Sequence, residues 1–127
     1  MNEQGHLVFD DFRKSVKQFH DVLKIPKSVF IRDASIKRFE LTFELSWKLL
    51  KLFLDDQGFV CNSPKSCLQQ AFSFGLIKDN PLWVDLANDR NSSIHSYSEK
   101  FADALYEKLG NYLKLFRELE KGIKKHL

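Results

Sequence analysis

Arg90, His95 and Tyr97 fall within eight residues, in the segment Arg-Asn-Ser-Ser-Ile-His-Ser-Tyr that ends at Tyr97. An arginine can grip a phosphate through two parallel N–H donors, and a histidine can move protons near neutral pH. Together they are two parts of a phosphodiester-cleaving site or of a nucleotide-binding one. In the cleaving case, Arg90 holds the scissile phosphate and stabilises the charge added to its oxygens. His95 then serves as general base or acid. RNA carries its own nucleophile, the 2′-hydroxyl, so cleavage by such a pair needs no metal and leaves a cyclic phosphate. The segment has no dense acidic cluster that would hold one. Tyr97 can stack on a base, donate to a phosphate or itself be modified.

Spacing constrains how these groups meet. On a regular helix, residues seven apart lie about 20° from eclipsed and residues five apart about 140° apart. Arg90 and Tyr97 would therefore share a face, and His95 would point elsewhere. Either the helix frays around Ser92-Ser93, or the working pair is completed across a dimer axis. Asn91, four residues before His95, is placed to orient it. The inert alternative pairs Arg90 with Asp85, Asp89 or Glu99, caps a helix end with His95 and packs Tyr97 at the boundary.

Helices must position this segment. Phe12, Val16, Phe19 and Leu23 recur on one face and predict a helix from about Val8 to Leu23, stopped by Ile25-Pro26-Lys27-Ser28. The next, Val29 to Gln57, is apolar on two sides. Ile36, Phe39, Phe43, Trp47, Leu50 and Leu54 form one stripe, and Leu41, Leu45, Leu49 and Leu52 another nearly opposite. Such a helix needs two surfaces to pack against, which points to a central place in a bundle or to a second subunit. Gly58 stops it. Ser63-Pro64 opens a short helix to Phe74, closed by Gly75. Asn80-Pro81 begins a fourth with Trp83 on it and Arg90 on its later turns. Ser98-Glu99 starts a last helix to about Lys124. No stretch reads as a strand. The expected fold is all-α, an antiparallel up-and-down bundle of four main helices plus a short one.

Composition sets the remaining limits. At 127 residues the chain suits one domain spanning 1–127, and 43% hydrophobic with 29% charged residues is the balance of a folded protein. The net charge of +3 permits nucleic-acid binding without arguing for it. Charges break every apolar run before it could cross a membrane, and no signal segment is present, so the cytoplasm is expected. Cys61 and Cys67 fit no common zinc spacing and are expected to be reduced thiols. No cofactor or metal site is expected. Glu40 and Glu44 sit among Lys37, Lys48 and Lys51 as a salt-bridged ridge, Glu40 being the better placed to support the site. Trp47 and Trp83 read as core anchors, and Lys121, Lys124 and Lys125 as a solvated basic end or an auxiliary phosphate contact.

Arg90, four residues to His95, then Ser96-Tyr97, resembles the R-x4-H-x-Y motif of HEPN domains. The likeness extends further. Arg38 to Lys51 resembles the long second-helix signature of the nucleotidyltransferase substrate-binding, or HepT-like, family. Ser63-Pro64-Lys65, Ala71-Phe72, Gly75-Leu76-Ile77 and Trp83 ahead of Arg90-Asn91 follow that family's later blocks. The resemblance implies a homodimer with the Arg90 and His95 positions facing a shared cleft, in complex with a separately encoded minimal nucleotidyltransferase. It implies a binding subunit with Arg90, Asn91, His95 and Tyr97 contacting nucleotide or RNA. It alternatively implies a metal-independent endoribonuclease toxin that cuts RNA through Arg90 and His95 and is neutralised by AMP transfer to Tyr97. The chain lacks the transferase's Gly-Ser pair and paired aspartates, so any nucleotidyl transfer belongs to another protein.

Overall fold

The computed structural model describes residues 1–127. Five helices follow in order, α1 Glu3–Leu23, α2 Val29–Asp56, α3 Pro64–Phe74, α4 Leu82–Ser93 and α5 Glu99–Lys124, with no strand. The bundle is all-α and antiparallel, as its periodicity predicts. Helix α1 begins five residues earlier than its apolar stripe requires, because the Asn2 side chain accepts from the Gly5 amide and satisfies an otherwise orphaned N–H. Ser28, Ser63 and Ser98 cap α2, α3 and α5 in the same way. Gly75 closes α3 in the left-handed region at φ +96°, and the following Leu76 amide donates back to Ala71 O at 2.9 Å.

Helices α1, α2, α4 and α5 surround an aromatic core. Phe39 of α2 stacks on Tyr112 of α5 at 5.5 Å, and Phe12, Phe19 and Trp83 meet Phe116 edge-on at 6.2 Å. Each such contact contributes about 0.5–1.5 kcal/mol beyond its buried area. Ser15 and Thr42 join α1 to α2 by a buried hydroxyl contact of 2.7 Å. Of the second stripe on α2, Leu49 is fully buried, Leu45 and Leu52 are half-covered and Leu41 is exposed. That face thus enters the core at Leu49 and runs out to solvent at Leu41.

The cysteines differ from expectation. Cys61 and Cys67 are joined by a disulfide, with their Cα atoms 5.1 Å apart. The Ser63-Pro64 reversal into α3 brings the two within bridging reach, which a spacing of six does not by itself reveal. No helix is long and apolar enough to cross a membrane.

Candidate functional site

Helix α4 ends at Ser93, so His95, Ser96 and Tyr97 lie on the short connection to α5. The Ser93 hydroxyl is 2.6 Å from Glu40 Oε2 and 2.9 Å from the Arg90 carbonyl, and its single proton serves both acceptors. It ties the last turn of α4 to α2. Beyond it the His95 amide donates to Ser92 O at 3.2 Å, and Ser98 starts the next helix. The 140° separation of a continuous helix therefore does not apply to His95.

Arg90 turns toward α2. Its Nη2 is ion-paired with Glu44, its Nη1 donates to Asn91 Oδ1 at 3.2 Å, and its guanidinium lies 5.1 Å from the Phe43 ring centroid. The side chain is 18% exposed, and its buried Nε–H has no partner. None of Asp85, Asp89 and Glu99 holds it. Asp89 instead accepts from the buried Tyr112 hydroxyl and pairs with Lys108 at 3.2 Å. Burial, then the Asp89 carboxylate, pushes the Tyr112 phenol well above its ordinary value. Glu99 joins Asp33 and Asp103 around the buried Arg32 guanidinium, which locks the start of α2 to the start of α5.

His95 and Tyr97 face solvent, Tyr97 being 98% exposed. No hydrogen bond within the chain joins Arg90 to His95, and His95 caps no helix. The terminal turn of α4 separates two depressions. One, of about 530 Å³ between α2, α3 and α4, is lined by Arg90, Asn91, Phe43, Phe72 and Trp83. The other, of about 340 Å³, is lined by Glu40, Ser93, Ser96, Tyr97 and Lys37. Glu40 thus belongs to the Tyr97 side, on Ser93 rather than on a cation. The sequence suggests that Glu44 belongs to a salt-bridged ridge with lysines, whereas in the structure it is the partner of Arg90. Its position one turn beyond Glu40, on the same side of α2, was the available signal. Ser93 carried no signal of its own.

The family model described as "Nucleotidyltransferase substrate binding protein like" matches residues 7–125. The chain belongs to this family. Its HepT-like character is borne out by a Haemophilus influenzae relative named "Probable ribonuclease HepT", 35% identical over 86 residues. That match covers 62% of the chain and spans 58% of the relative's length. A Thermus thermophilus crystal structure superposes with a TM-score of 0.79 at 31% identity, covering 85% of this chain and 94% of that one. A Haemophilus influenzae structure described as revealing the fold of a substrate binding domain of a nucleotidyltransferase gives a TM-score of 0.69 at 25% identity, covering 94% of this chain and 96% of that one.

Proposed function

We propose that this HepT-like chain is a metal-independent endoribonuclease whose site is built from Arg90 and His95, with Asn91 beside the arginine and Tyr97 as the residue to which a separate minimal nucleotidyltransferase transfers AMP from ATP, with pyrophosphate leaving. The observation that carries the reading is the placement of His95 and Tyr97 in the open, immediately after the helix turn that fixes Arg90. The kinship with a probable ribonuclease HepT supports it. In the reaction the 2′-oxygen attacks phosphorus, the bond to the 5′-oxygen breaks, and a 2′,3′-cyclic phosphate and a 5′-hydroxyl result. His95 takes the 2′-hydroxyl proton or supplies one to the leaving oxygen. Arg90 faces the non-bridging oxygens with the Nη protons that Glu44 and Asn91 leave free. Because Arg90 and His95 make no direct contact within one chain, the complete site is assigned to a homodimer with both pairs across one cleft.

The second reading is a non-catalytic subunit that binds nucleotide or RNA for the transferase. It draws on the family's description and on the likeness to the Haemophilus substrate binding domain. Incubation of purified protein with a tRNA and total-RNA pool in EDTA separates the two. Cleavage lost in both Arg90→Ala and His95→Ala is the expected result. Intact RNA with folded protein, shown by mass spectrometry to carry no AMP on Tyr97, would leave the binding subunit.

A further inference from the structure

The basic residues are distributed unevenly, and their arrangement is continuous with Arg90. The groove that holds Arg90 shares Ile77 and Lys78 with a depression along the end of α5. That depression shares Arg117 and Lys121 with a third, between α1 and α5. The three contain eleven of the chain's twenty Lys and Arg but only five of its seventeen Asp and Glu, a net +6. The rest of the chain, with nine cations and twelve acids, carries −3. Of the eleven, only Arg90 and Lys17 are in ion pairs. One of the five acids, Glu118, is already engaged by the Lys78 amide at 2.7 Å.

Helical spacing explains the row on α5. Lys114, Arg117, Lys121 and Lys125 lie at i, i+3, i+7 and i+11, on one face and over about 16 Å of helix. Across from them lie Arg13 and Lys14 of α1 and Lys24 just past its end. Unpaired cations in a line repel one another, and a polyanion relieves that repulsion by displacing counterions.

We infer that this track, from Arg90 past Lys78 and along α5 to α1, is the path of the sugar–phosphate backbone of a single RNA strand. It depends on the ribonuclease reading only for RNA being the polyanion. The track bends from the α2–α3–α4 side round to the α1–α5 side. A duplex is too stiff to follow such a bend over a few nucleotides, whereas an unpaired strand can. Phe72, 45% exposed in the Arg90 groove, offers a ring on which an unpaired base can stack.

The test is fluorescence anisotropy of a labelled, unstructured RNA of about 20 nucleotides, long enough to leave the Arg90 groove and follow the track. The His95→Ala protein is used in EDTA across a KCl series. Arg117→Glu and Lys121→Glu should each weaken binding severalfold and flatten the salt dependence by about 0.7 in log–log slope, one phosphate contact apiece. Arg117→Lys should bind as the parent does, and thermal melts followed by circular dichroism verify folding. Lys48→Glu makes the same charge change at an exposed position of α2 outside the track, and should leave the affinity within about twofold. Equal losses in Lys48→Glu and Arg117→Glu would overturn the track in favour of net charge alone. RNA binding indifferent to Arg117 and Lys121 would leave that face to an acidic protein and overturn it as well. Cleavage by wild type with such indifferent binding removes the track and keeps the ribonuclease. Track-dependent binding without cleavage does the reverse.

Discussion

Glu44 and Arg90 form an ion pair across the contact between α2 and α4, and the pair determines what the arginine has left to offer a substrate. With one Nη2 proton on Glu44 and one Nη1 proton on Asn91, the second proton of each nitrogen and the buried Nε–H are left uncommitted. The carboxylate holds the guanidinium near the Phe43 ring and also opposes any phosphate that approaches it.

Glu44→Gln keeps an oxygen acceptor for Arg90 and removes the opposing charge. Both side chains are partly exposed, so the loss of stability should stay below about 1 kcal/mol. RNA should bind severalfold tighter at low salt, with the difference shrinking as salt rises. Anisotropy titrations at two salt concentrations check this. An affinity identical to wild type at both would mean that phosphate does not reach Arg90.

Tyr112 supports the same helix from the other side. Its ring is fully buried and its hydroxyl donates to Asp89, the residue before Arg90. Tyr112→Phe removes a hydrogen bond to a carboxylate and should cost about 1–2 kcal/mol in urea unfolding. Because burial and then Asp89 raise the phenol's pKa in the folded state, the unfolded chain releases this proton first as pH rises. The stabilisation is therefore complete below the unfolded tyrosine value of about 10 and declines above it. The difference in stability between wild type and Tyr112→Phe should narrow between about pH 9.5 and 11. A difference that stays constant across that range would show that the phenol is not shielded.

The helices were readable because their signals are local. Ser28, Ser63 and Ser98 are caps, Gly75 is a stop, and the phenylalanines repeat at helical spacing, so four of five helix starts fall within about two residues of expectation. The start of α1 was not, since Asn2 precedes a polar first turn with no apolar stripe to announce it. Within the site, Arg90, His95 and Tyr97 stood out by residue type. Their partners did not, because Glu44–Arg90, Glu40–Ser93 and Asp89–Tyr112 join residues 46, 53 and 23 apart in sequence. Contacts of that range depend on how the helices pack, and periodicity on one helix carries no record of its neighbour. The Arg32 cluster was hidden for the same reason, 71 residues separating Arg32 from Asp103.

Two glycines of α5 should respond oppositely to the same substitution. Gly122 packs against the backbone of Leu76, and a Cβ there would run into the Leu76 carbonyl oxygen, with its carbon 3.1 Å away. Backbone cannot rotate aside as a side chain can. Gly122→Ala should therefore destabilise by about 1–2 kcal/mol net, overpacking exceeding the gain in helix propensity. Gly110 faces open space, and Gly110→Ala should stabilise by about 0.5–1 kcal/mol. Thermal melts of the two variants check the signs, and equal stabilisation in both would mean that α5 lies further from Leu76.

The Cys61–Cys67 bridge joins the end of the α2–α3 loop to α3, the helix that presents Leu68 and Phe72 to the Arg90 groove. Neighbouring bonds reinforce that tether, Lys51 Nζ donating to Cys61 O at 3.3 Å and Gln70 Nε2 to Val60 O at 2.7 Å. A closed loop this short restricts the unfolded chain by about 2 kcal/mol in the chain-entropy account. Dithiothreitol should thus lower the melting temperature by roughly 5–10 °C. The double substitution Cys61→Ser with Cys67→Ser should melt near the reduced protein and ignore the reductant. Thiol titration of denatured wild type should find no free thiol before reduction and two after it. Two thiols before reduction would mean that α3 is held by Lys51, Gln70 and packing alone. In that case RNA binding in the groove should be indifferent to redox conditions, whereas a bridged α3 that loosens on reduction should lose affinity at Phe72 before it loses affinity along α5.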